Sequence, residues 1–279
     1  MTPELDAKLA RMRDILRSLE RVVVAFSAGV DSTFVLKIAL DTLGSENVIA
    51  ATGRSDSLAR REFDEACRLA EAAGVKHLVI DTGEFENPDY LANPVNRCYF
   101  CKTTLYEYLD PVLAEHGFNA VVNGTNADDL GDHRPGLQAA AEHNVHAPAA
   151  EAGLTKDDIR AASEAMGLPT FDKPASPCLS SRVQYGETIT PEKLRMIEQA
   201  ENYLHDLGLR ECRVRHHNNL ARIEIPPDAI DAFTTPEMRA SIDAKLREIG
   251  YTYVTIDLRG LRSGSMNDVI AFGQRQTPV

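Results

Sequence analysis

The sequence predicts an α/β fold, a doubly wound parallel sheet, with a smaller C-terminal α+β domain. Two patterns carry this prediction. Short apolar runs alternate with amphipathic runs up to residue 126, and a proline-containing loop, TFDKPASPCLSSRVQYGE, separates them from a final set of helix and strand patterns. Alternation at this spacing is typical of βαβ units, whose strands pair in parallel. We predict a first domain over residues 1–182 and a second over residues 183–279.

The first domain is predicted to open with an amphipathic helix over about residues 4–19. Four strands follow, and each of the three helices between them ends at or near a glycine, a common C-terminal signal. The predicted strands cover residues 21–26, 47–53, 75–83 and 119–126, and the helices end near residues 43, 74 and 117. Ligands of such sheets bind at the carboxyl ends of the strands. Those ends are rich in hydroxyl and carboxylate groups, so we expect the functional site there.

The second domain is predicted to begin with a helix over residues 190–208, which starts at a Thr-Pro pair and ends at a glycine. The remaining pattern predicts strands over residues 210–217 and 220–225, a helical stretch over 227–250 and a strand over 251–258. Mixed short strands and helices of this kind indicate an α+β arrangement.

The composition is that of a globular protein. Hydrophobic residues make up 43% and charged residues 26% of the 279 residues, and no apolar run is long enough to cross a bilayer. The N-terminal pattern is charged and amphipathic, without a signal-peptide core, so we expect a cytoplasmic protein with no membrane partner. A net charge of −12 argues against nucleic acid as a partner, although a local basic pocket for a small anionic substrate is compatible with it.

The stretch SAGVDST, residues 27–33, lies between the first predicted strand and the helix after it. Backbone N–H groups and hydroxyls at a helix start commonly bind phosphate. The stretch lacks the lysine of a P-loop and carries Asp31 instead. A carboxylate beside phosphates needs a cation between them, which suggests Mg²⁺. The alternative is that these residues only cap the helix.

A second concentration of polar residues is NGTNADDLGDHRPG, residues 123–136. Asn and Asp are common in surface turns for backbone reasons alone. Here, however, three carboxylates and an arginine occur within seven residues, which favours a site. We expect adenylate binding by Gly124 and Thr125, with metal or substrate contact by Asp128 or Asp129. The other polar members of the stretch are Asn123, Asn126, Asp132 and Arg134.

The five cysteines, an odd number, argue against a disulfide framework. Cys98 and Cys101 form a CxxC pair at a helix start, and Cys178 lies in a loop beside basic and hydroxyl residues. Cys67 and Cys212 fit small buried hydrophobic positions. A structural zinc site needs four ligands, and the sequence has no second CxxC pair to complete them. A redox-active CxxC pair would leave Cys178 without a role. A three-cysteine iron–sulfur cluster with one open iron would use all three.

The stretch SAGVDST resembles the SGGxDS loop of the PP-loop ATP pyrophosphatases, with Ala28 in place of one glycine. The resemblance implies an adenine nucleotide alpha hydrolase-like domain that cleaves ATP between the α and β phosphates and leaves an adenylated substrate and pyrophosphate. It implies a pyrophosphate-binding set and a nucleoside-binding set. These are Ser27, Gly29, Asp31 and Ser32 for pyrophosphate, and Thr52, Gly53 and Ser55 for the nucleoside.

Five further stretches, NRCYFCK, NGTNADDLGDHRPG, EAGLTKDDIR, GLPTFDKPASPCLSSRVQYG and RVRHHNNLARIEI, resemble the ATP-dependent sulfur transferases of nickel-pincer nucleotide biosynthesis, over essentially the whole chain. That family adenylates a substrate carboxylate and converts it to a thiocarboxylate. One version sacrifices the thiol of a cysteine that matches Cys178 and leaves dehydroalanine. The other holds a 4Fe–4S cluster on three cysteines, and the open iron binds an added sulfide. Because this chain has Cys98, Cys101 and Cys178, it is similar to the cluster version.

The resemblance implies ATP, Mg²⁺ and a 4Fe–4S cluster as cofactors, with pyridinium-3,5-biscarboxylic acid mononucleotide as the substrate. The implied partners are this small nucleotide, a sulfide donor and the other cofactor-maturation proteins, and the family tends to form homo-oligomers. Arg213 and Arg215 alternate on one predicted strand, so both face the same side, and they would bind the substrate phosphate. Further substrate candidates are Arg182, Arg259 and Arg262, and weaker metal or polar candidates are Glu198, Glu201, Glu224 and Asp228.

Other functions stay open at this point. PP-loop enzymes that thiolate tRNA also use a CxxC pair and a third cysteine, but the acidic balance and the absence of a basic arm speak against tRNA. An amidating synthetase needs an ammonia source, and no glutaminase segment is visible. A non-catalytic adenine-nucleotide-binding module would leave Asp31 and three cysteines without a task.

Overall fold

The computed structural model describes residues 2–131, 135–262 and 264–267. The chain divides into two compact units, one formed by residues 1–90 and 96–176 and the other by residues 91–95 and 177–279. The sequence had predicted a single boundary after residue 182. The short segment 91–95 joins the second unit because the Asn93 side-chain amide donates to three carbonyl groups of that unit. These acceptors are Val183 at 3.3 Å, Gln184 at 2.8 Å and Glu187 at 3.2 Å.

The first unit is built on a four-stranded sheet in the order β3-β2-β1-β4, and each pair of neighbours is parallel. The strands are β1 Val22–Ala25, β2 Val48–Arg54, β3 Lys76–Asp81 and β4 Ala120–Val122. Because strand order reverses between β1 and β4, the loop after β1 lies at the switch point where ligands of such sheets bind. This parallel α/β sheet confirms the predicted fold class.

Helices cover both faces of this sheet. The helices up to the second unit are α1 Pro3–Leu19, α2 Val30–Leu43, α3 Arg60–Ala72, α4 Pro88–Leu91, α5 Arg97–His116, α6 Pro135–Glu142, α7 Pro148–Glu151 and α8 Lys156–Ala165. Val22 and Val24 of β1 point into a core with α1, α2 and α8, whereas Val23 points into a core with α5 and α6. The sequence patterns had not predicted α6 to α8. The buried positions of α6 and α7 are mostly alanine, which leaves little apolar periodicity, whereas α8 begins at a Thr155–Asp158 capping box that is a recognisable helix start.

The second unit contains a three-stranded sheet of β5 Arg213–His217, β6 Leu220–Glu224 and β7 Tyr253–Ile256. The β5–β6 pair is antiparallel and the β6–β7 pair is parallel. Its helices are α9 Pro191–Asp206, α10 Ile230–Phe233 and α11 Pro236–Ile249. The stretch predicted as helical over 227–250 is interrupted before Pro236, because proline has no N–H to continue a preceding helix and instead starts a new one after the N-cap Thr235.

Membrane-spanning helices are not found within the described ranges, where no helix is both long and apolar enough to cross a bilayer.

Candidate functional site

The 27–33 loop leaves β1 and enters α2, whose N-cap is Gly29. Ser27 and Ser32 tie the loop to itself: the Ser27 backbone N–H donates to Ser32 Oγ at 3.2 Å, and the two hydroxyl oxygens lie 3.1 Å apart. In the part of the chain that the structure describes, the backbone N–H groups of residues 28–31 donate to no protein acceptor. Such N–H groups at the start of a helix are suited to bind an anion.

Ala28 occupies the position of a family glycine and has a left-handed backbone, with φ of 56°. L-residues with a Cβ rarely adopt this conformation, because Cβ approaches the following carbonyl oxygen. The methyl group is completely buried and packs in the core shared by β1 and α2. The loop therefore keeps the conformation that a glycine would adopt, at a cost in backbone energy.

Thr52 supports the entry to the loop from the neighbouring strand. Its hydroxyl donates to the Phe26 carbonyl at 2.8 Å and lies 2.8 Å from His77 Nε2. The side chain is only 3% exposed. In this position the hydroxyl holds β1 against β2, and its contact with a nucleoside stays a prediction.

Ser55 lies just beyond β2 and contacts a buried carboxylate. Its hydroxyl donates to Glu84 Oε1 at 2.5 Å, and the Ser57 hydroxyl lies 3.1 Å from the same oxygen. Glu84 is 2% exposed. Before Ser55, a Cβ at Gly53 would lie 3.2 Å from both Leu105 Cδ1 and Thr82 Cγ2. Gly53 and Ser55, two of the three residues predicted to bind the nucleoside, therefore lie in a tightly packed strand end.

Gly124 brings the end of β4 into contact with the first turn of α2. A Cβ at this position would lie 2.8 Å from the Ser32 backbone nitrogen and 3.1 Å from Asp31 Cβ. The next residue, Thr125, donates its backbone N–H to Asn123 Oδ1 at 3.0 Å. Only glycine fits between the two elements without displacing the 27–33 loop. The predicted adenylate-binding residues therefore lie directly beside the predicted pyrophosphate-binding residues.

Asp31 is paired with a lysine from α8. Lys156 Nζ lies 2.5 Å from Asp31 Oδ2, and Asn126 Nδ2 donates to Asp31 Oδ1 at 3.3 Å. Lys156 carries no role in the patterns of the sequence alone. Its location could have been suspected because a loop that lacks a P-loop lysine, yet carries a carboxylate beside the anion site, needs positive charge from another segment. The quoted stretch EAGLTKDDIR contains a single lysine that supplies it.

The structure brings Asp128 and Asp129 to the same edge, where each accepts a backbone N–H. Asp128 Oδ2 accepts from Lys156 at 2.8 Å, and Asp129 Oδ2 accepts from Asn126 at 3.1 Å. Asp128 is exposed and Asp129 is half-buried. These carboxylates thus hold α8 and the β4 loop in place, and their metal or substrate contacts stay predictions. Asp132 and Arg134 lie outside the described residues.

A second lysine missed by sequence reasoning, Lys173, contacts the loop from the other side. Its Nζ donates to the Ala28 carbonyl at 3.1 Å. It also lies 2.7 Å from a carboxylate oxygen of Glu62 and 2.7 Å from one of Glu65, both on α3. Lys173 lies in the stretch GLPTFDKPASPCLSSRVQYG, but no local pattern of the sequence connects it with Ala28.

Cys98 and Cys101 are the second and fifth residues of α5, and their spacing of three places them on one side of the helix. Cys98 is exposed and Cys101 is half-buried. Cys178 belongs to the second unit, where it precedes a short 3₁₀ helix, and its carbonyl accepts from Arg182 Nη1 at 3.0 Å. Across the described residues, no three or more His, Cys, Asp or Glu side chains are gathered as a metal site. Three thiols do match the ligand chemistry of an iron–sulfur cluster.

The remaining cysteines differ in environment. Cys212 is completely buried in the core of the second unit, and Cys67 is half-buried on α3.

Three of the predicted arginines, Arg182, Arg213 and Arg215, cluster in the second unit and are buried. The Arg182 guanidinium donates to both oxygens of Glu201, at 3.0 and 2.9 Å, and Arg215 donates twice to Glu224 Oε2, at 3.0 and 2.9 Å. Burial lowers the pKa of Arg213, and the neighbouring positive charge of Arg182 lowers it further. An anion bound beside Arg213 would oppose both effects, because it stabilises the charged guanidinium.

The other candidate residues of the second unit differ in their partners and their exposure. Glu224 is fully buried and accepts from Arg215, from Ser265 at 2.8 Å and from Arg222 at 3.0 Å. Arg262 lies near Asp257 at 3.5 Å and is half-exposed. The candidates nearest the surface are Glu198, which is half-buried, and Asp228 and Arg259, which are exposed. A metal role for Glu224 would require it to exchange these partners.

Comparison with known proteins gives both partial and full-length similarity. The profile of the NAD synthase family matches residues 10–87, which include the 27–33 loop. Argininosuccinate synthase of Haloarcula marismortui is 29% identical over 162 residues, 53% of this chain and 37% of that protein. The pyridinium-3,5-bisthiocarboxylic acid mononucleotide synthase of Lactiplantibacillus plantarum is 39% identical over 274 residues, 98% of each chain. The uncharacterized protein slr1717 of Synechocystis sp. is 46% identical over 266 residues, 95% of this chain and 99% of that protein.

Proposed function

Because this chain belongs to the family of the pyridinium-3,5-bisthiocarboxylic acid mononucleotide synthases, within the PP-loop ATP pyrophosphatases, we propose that it is an ATP-dependent sulfurtransferase. Its substrate would be pyridinium-3,5-biscarboxylic acid mononucleotide, and its product the corresponding thiocarboxylate. The observation that carries this proposal is the 39% identity to such a synthase over 98% of both chains. The anion-binding N–H groups of the 27–33 loop, with Asp31 and Lys156 beside them, support ATP use at this edge of the sheet.

The proposed pyrophosphate site consists of the backbone N–H groups of residues 28–31 with the hydroxyls of Ser27 and Ser32. Asp31 has the oxygen ligands that Mg²⁺ prefers, and Mg²⁺ bound there would offset phosphate charge. Lys156 now offsets the charge of Asp31. When the nucleotide binds with its cation, the ammonium of Lys156 is released from this pair and is free to contact a phosphate oxygen.

The proposed reaction has two steps, adenylation of the carboxylate and attack by sulfur. A carboxylate oxygen of the substrate attacks the α-phosphorus of ATP, the bond to the β-phosphate breaks, and its electron pair leaves with pyrophosphate. The acyl-adenylate carries no charge at the reacting carboxyl carbon, and AMP is a good leaving group. Sulfur then attacks this carbon, and AMP leaves with the electron pair of the carbon–oxygen bond.

The arginine cluster of the second unit, Arg182, Arg213 and Arg215, is the proposed site for the substrate phosphate. Three guanidinium groups against the two buried carboxylates of Glu201 and Glu224 give this cluster a net positive charge, which supports the proposal. An incoming phosphate would stabilise the charged form of Arg213. Arg182 and Arg215 would then position the site and keep Glu201 and Glu224 in place. Arg262 is a further substrate candidate at the edge of this unit.

The proposed sulfur source is sulfide held on a 4Fe–4S cluster by Cys98, Cys101 and Cys178. Such a cluster, when bound, would supply an iron without a protein ligand, on which sulfide would serve as the nucleophile near neutral pH. Cys98 lies in the first turn of α5, where the helix dipole favours negative charge, and Cys101 lies one turn further along the same side. The sacrificial alternative takes sulfur from Cys178 itself and leaves dehydroalanine at that position.

The test measures pyrophosphate and AMP release by protein purified without oxygen, with and without the pyridinium dicarboxylate nucleotide. We expect substrate-dependent release of both, with iron and sulfide bound to the wild type and lost in Cys98→Ser. Cys67→Ser, a cysteine outside the proposed set, is the matched control and should keep iron, sulfide and turnover.

If the wild-type protein is colourless and Cys178 becomes dehydroalanine during turnover, with its sulfur recovered in the thiocarboxylate product, the sacrificial mechanism replaces the cluster mechanism. If turnover requires tRNA, then tRNA and not the pyridinium dicarboxylate nucleotide is the substrate. Absence of any AMP or pyrophosphate formation would favour a nucleotide-binding module. The cytoplasmic location, the homo-oligomer and the sulfide-donating partner expected from the sequence stay predictions.

A further inference from the structure

The strained residue of the 27–33 loop has a dedicated partner. Ala28 has φ of 56°, and its buried methyl group offers no hydrogen bond that could hold this conformation. Three of the other four non-glycine residues with positive φ in the described chain are asparagines, which tolerate the left-handed region better. Ala28 therefore depends on contacts from elsewhere in the unit, and its carbonyl receives one from Lys173.

The contact is built with a complete set of partners. The Lys173 ammonium has three N–H donors and three acceptors: the Ala28 carbonyl at 3.1 Å, Glu62 Oε2 at 2.7 Å and Glu65 Oε2 at 2.7 Å. The side chain is 13% exposed. Because Glu62 and Glu65 lie three residues apart on α3, they face the same side and converge on one ammonium.

The backbone of Lys173 is fixed as well. Arg160 of α8 donates to the Phe171 carbonyl at 2.7 Å and to the Lys173 carbonyl at 3.0 Å. The Lys173 side chain thus extends from an anchored backbone to an anchored pair of carboxylates. The Ala28 carbonyl is held at a defined point between them.

This contact also orients a group that faces the anion site. The peptide between Ala28 and Gly29 is planar and trans, so its C=O and N–H point in opposite directions. A hydrogen bond that holds the Ala28 oxygen toward Lys173 therefore turns the Gly29 N–H the other way. Within the described chain that N–H donates to no protein group.

The charge of Lys173 does not favour a direct phosphate contact. Two carboxylates surround one ammonium, so the group as a whole carries a net negative charge. Lys156, which faces a single carboxylate, is the better phosphate partner. Lys173 therefore acts through the conformation of the loop.

We propose that Lys173 is a positioning residue that holds Ala28 in the left-handed conformation and so presents the Gly29 N–H to the pyrophosphate portion of ATP. The inference rests on the proposed use of ATP at this loop. The contact from Lys173 restrains the backbone of Ala28, and glycine at this position would not need such a restraint.

The test is a double-mutant cycle of Lys173→Met and Ala28→Gly, with Mg²⁺–ATP and Mg²⁺–pyrophosphate as calorimetric probes. Lys173→Met should raise both dissociation constants about tenfold, the effect of one lost hydrogen bond at a bound anion. Ala28→Gly alone should change them less than about threefold, and the double variant should return close to that value, because glycine adopts positive φ without restraint.

Lys193→Met is the matched control. Lys193 also joins a carbonyl, Thr188 at 2.7 Å, to a carboxylate, Glu187 at 2.8 Å, but it belongs to the second unit. It should lower the melting temperature without changing the dissociation constant of pyrophosphate. Thermal unfolding of all variants separates loss of fold from loss of binding.

Two results would overturn the inference while the proposed function stands. One is unchanged ATP and pyrophosphate binding in Lys173→Met. The other is weakened binding that Ala28→Gly does not restore, which would mean that Lys173 contacts the phosphate or only stabilises the unit. If the wild type itself binds neither ATP nor pyrophosphate, the proposed function fails first, and this inference fails with it.

Discussion

Lys156 Nζ lies 2.5 Å from Asp31 Oδ2, so the carboxylate of the 27–33 loop already has a cation beside it. The side chains are 36% and 25% exposed, so the pair is open to exchange with solvent ions. The loop is thus balanced in charge before any nucleotide is present. Binding of a nucleotide with Mg²⁺ would have to compete with this pair.

This competition predicts opposite changes in metal dependence for the two partners. Lys156→Met should lower the Mg²⁺ concentration needed for half-maximal pyrophosphate release, because the ammonium no longer occupies the carboxylate. Its maximal rate should fall about tenfold or more, because a phosphate contact is lost. Asp31→Asn should raise the required Mg²⁺ at least about tenfold. Titration of initial rates with Mg²⁺ checks both, and identical metal curves for the three proteins would contradict the exchange.

Gly124 is predicted to be intolerant of even one methyl group. In Gly124→Ala the new Cβ would lie 2.8 Å from the Ser32 nitrogen, so the first turn of α2 must shift. We expect a loss of about 1–3 kcal/mol in unfolding free energy together with weaker pyrophosphate binding. Urea unfolding and calorimetry measure the two effects. Gly131→Ala is the control, because among the described residues no neighbouring atom lies within 4 Å of a Cβ there, and it should stay within about 0.5 kcal/mol of the wild type.

The buried Arg182–Glu201 pair is predicted to be essential for the second unit. Its side chains are 3% and 8% exposed, so Arg182→Met leaves the Glu201 carboxylate buried without its cation. We expect a loss of about 3–5 kcal/mol in unfolding free energy. Arg247→Met breaks an exposed pair with Asp243 and should cost less than about 0.5 kcal/mol. Comparable losses in the two variants by urea unfolding would argue that Arg182 contributes no more than a surface charge.

His77 should make the first unit less stable in acid. Burial lowers the pKa of His77 below its ordinary value, so the unfolded chain takes up a proton at a higher pH than the folded chain. The stability is therefore complete above the ordinary histidine pKa of about 6.5 and decreases as the pH falls below it. His77→Gln keeps a side-chain amide beside Thr52 and should flatten this decrease. Urea unfolding at several pH values measures the slope, and parallel curves for the two proteins would exclude His77 as a source.

The alternation of apolar and amphipathic segments by itself determined the parallel sheet and most helix ends. It did so because burial of β1 and the glycines after α2 and α5 leave local, periodic signs in the chain. The same local reasoning located the 27–33 loop at a strand end, where the topology of the sheet makes ligand binding probable for any sequence. It did not foresee α6 and α7, whose buried positions are mostly alanine, or α8, for which the capping box of Thr155 and Asp158 was the available sign.

Only the tertiary structure decided which charges surround that loop. Lys156 and Lys173 lie 125 and 145 residues from the loop residues that they contact, and no periodicity in a sequence records such pairs. The arginines predicted to bind substrate also acquired partners that their spacing did not reveal, since Glu201 and Glu224 reach them through the packing of α9 and β6. Backbone pattern is set by neighbours in the chain, whereas the electrostatics of a site is set by neighbours in space, because charges act over distance regardless of sequence separation.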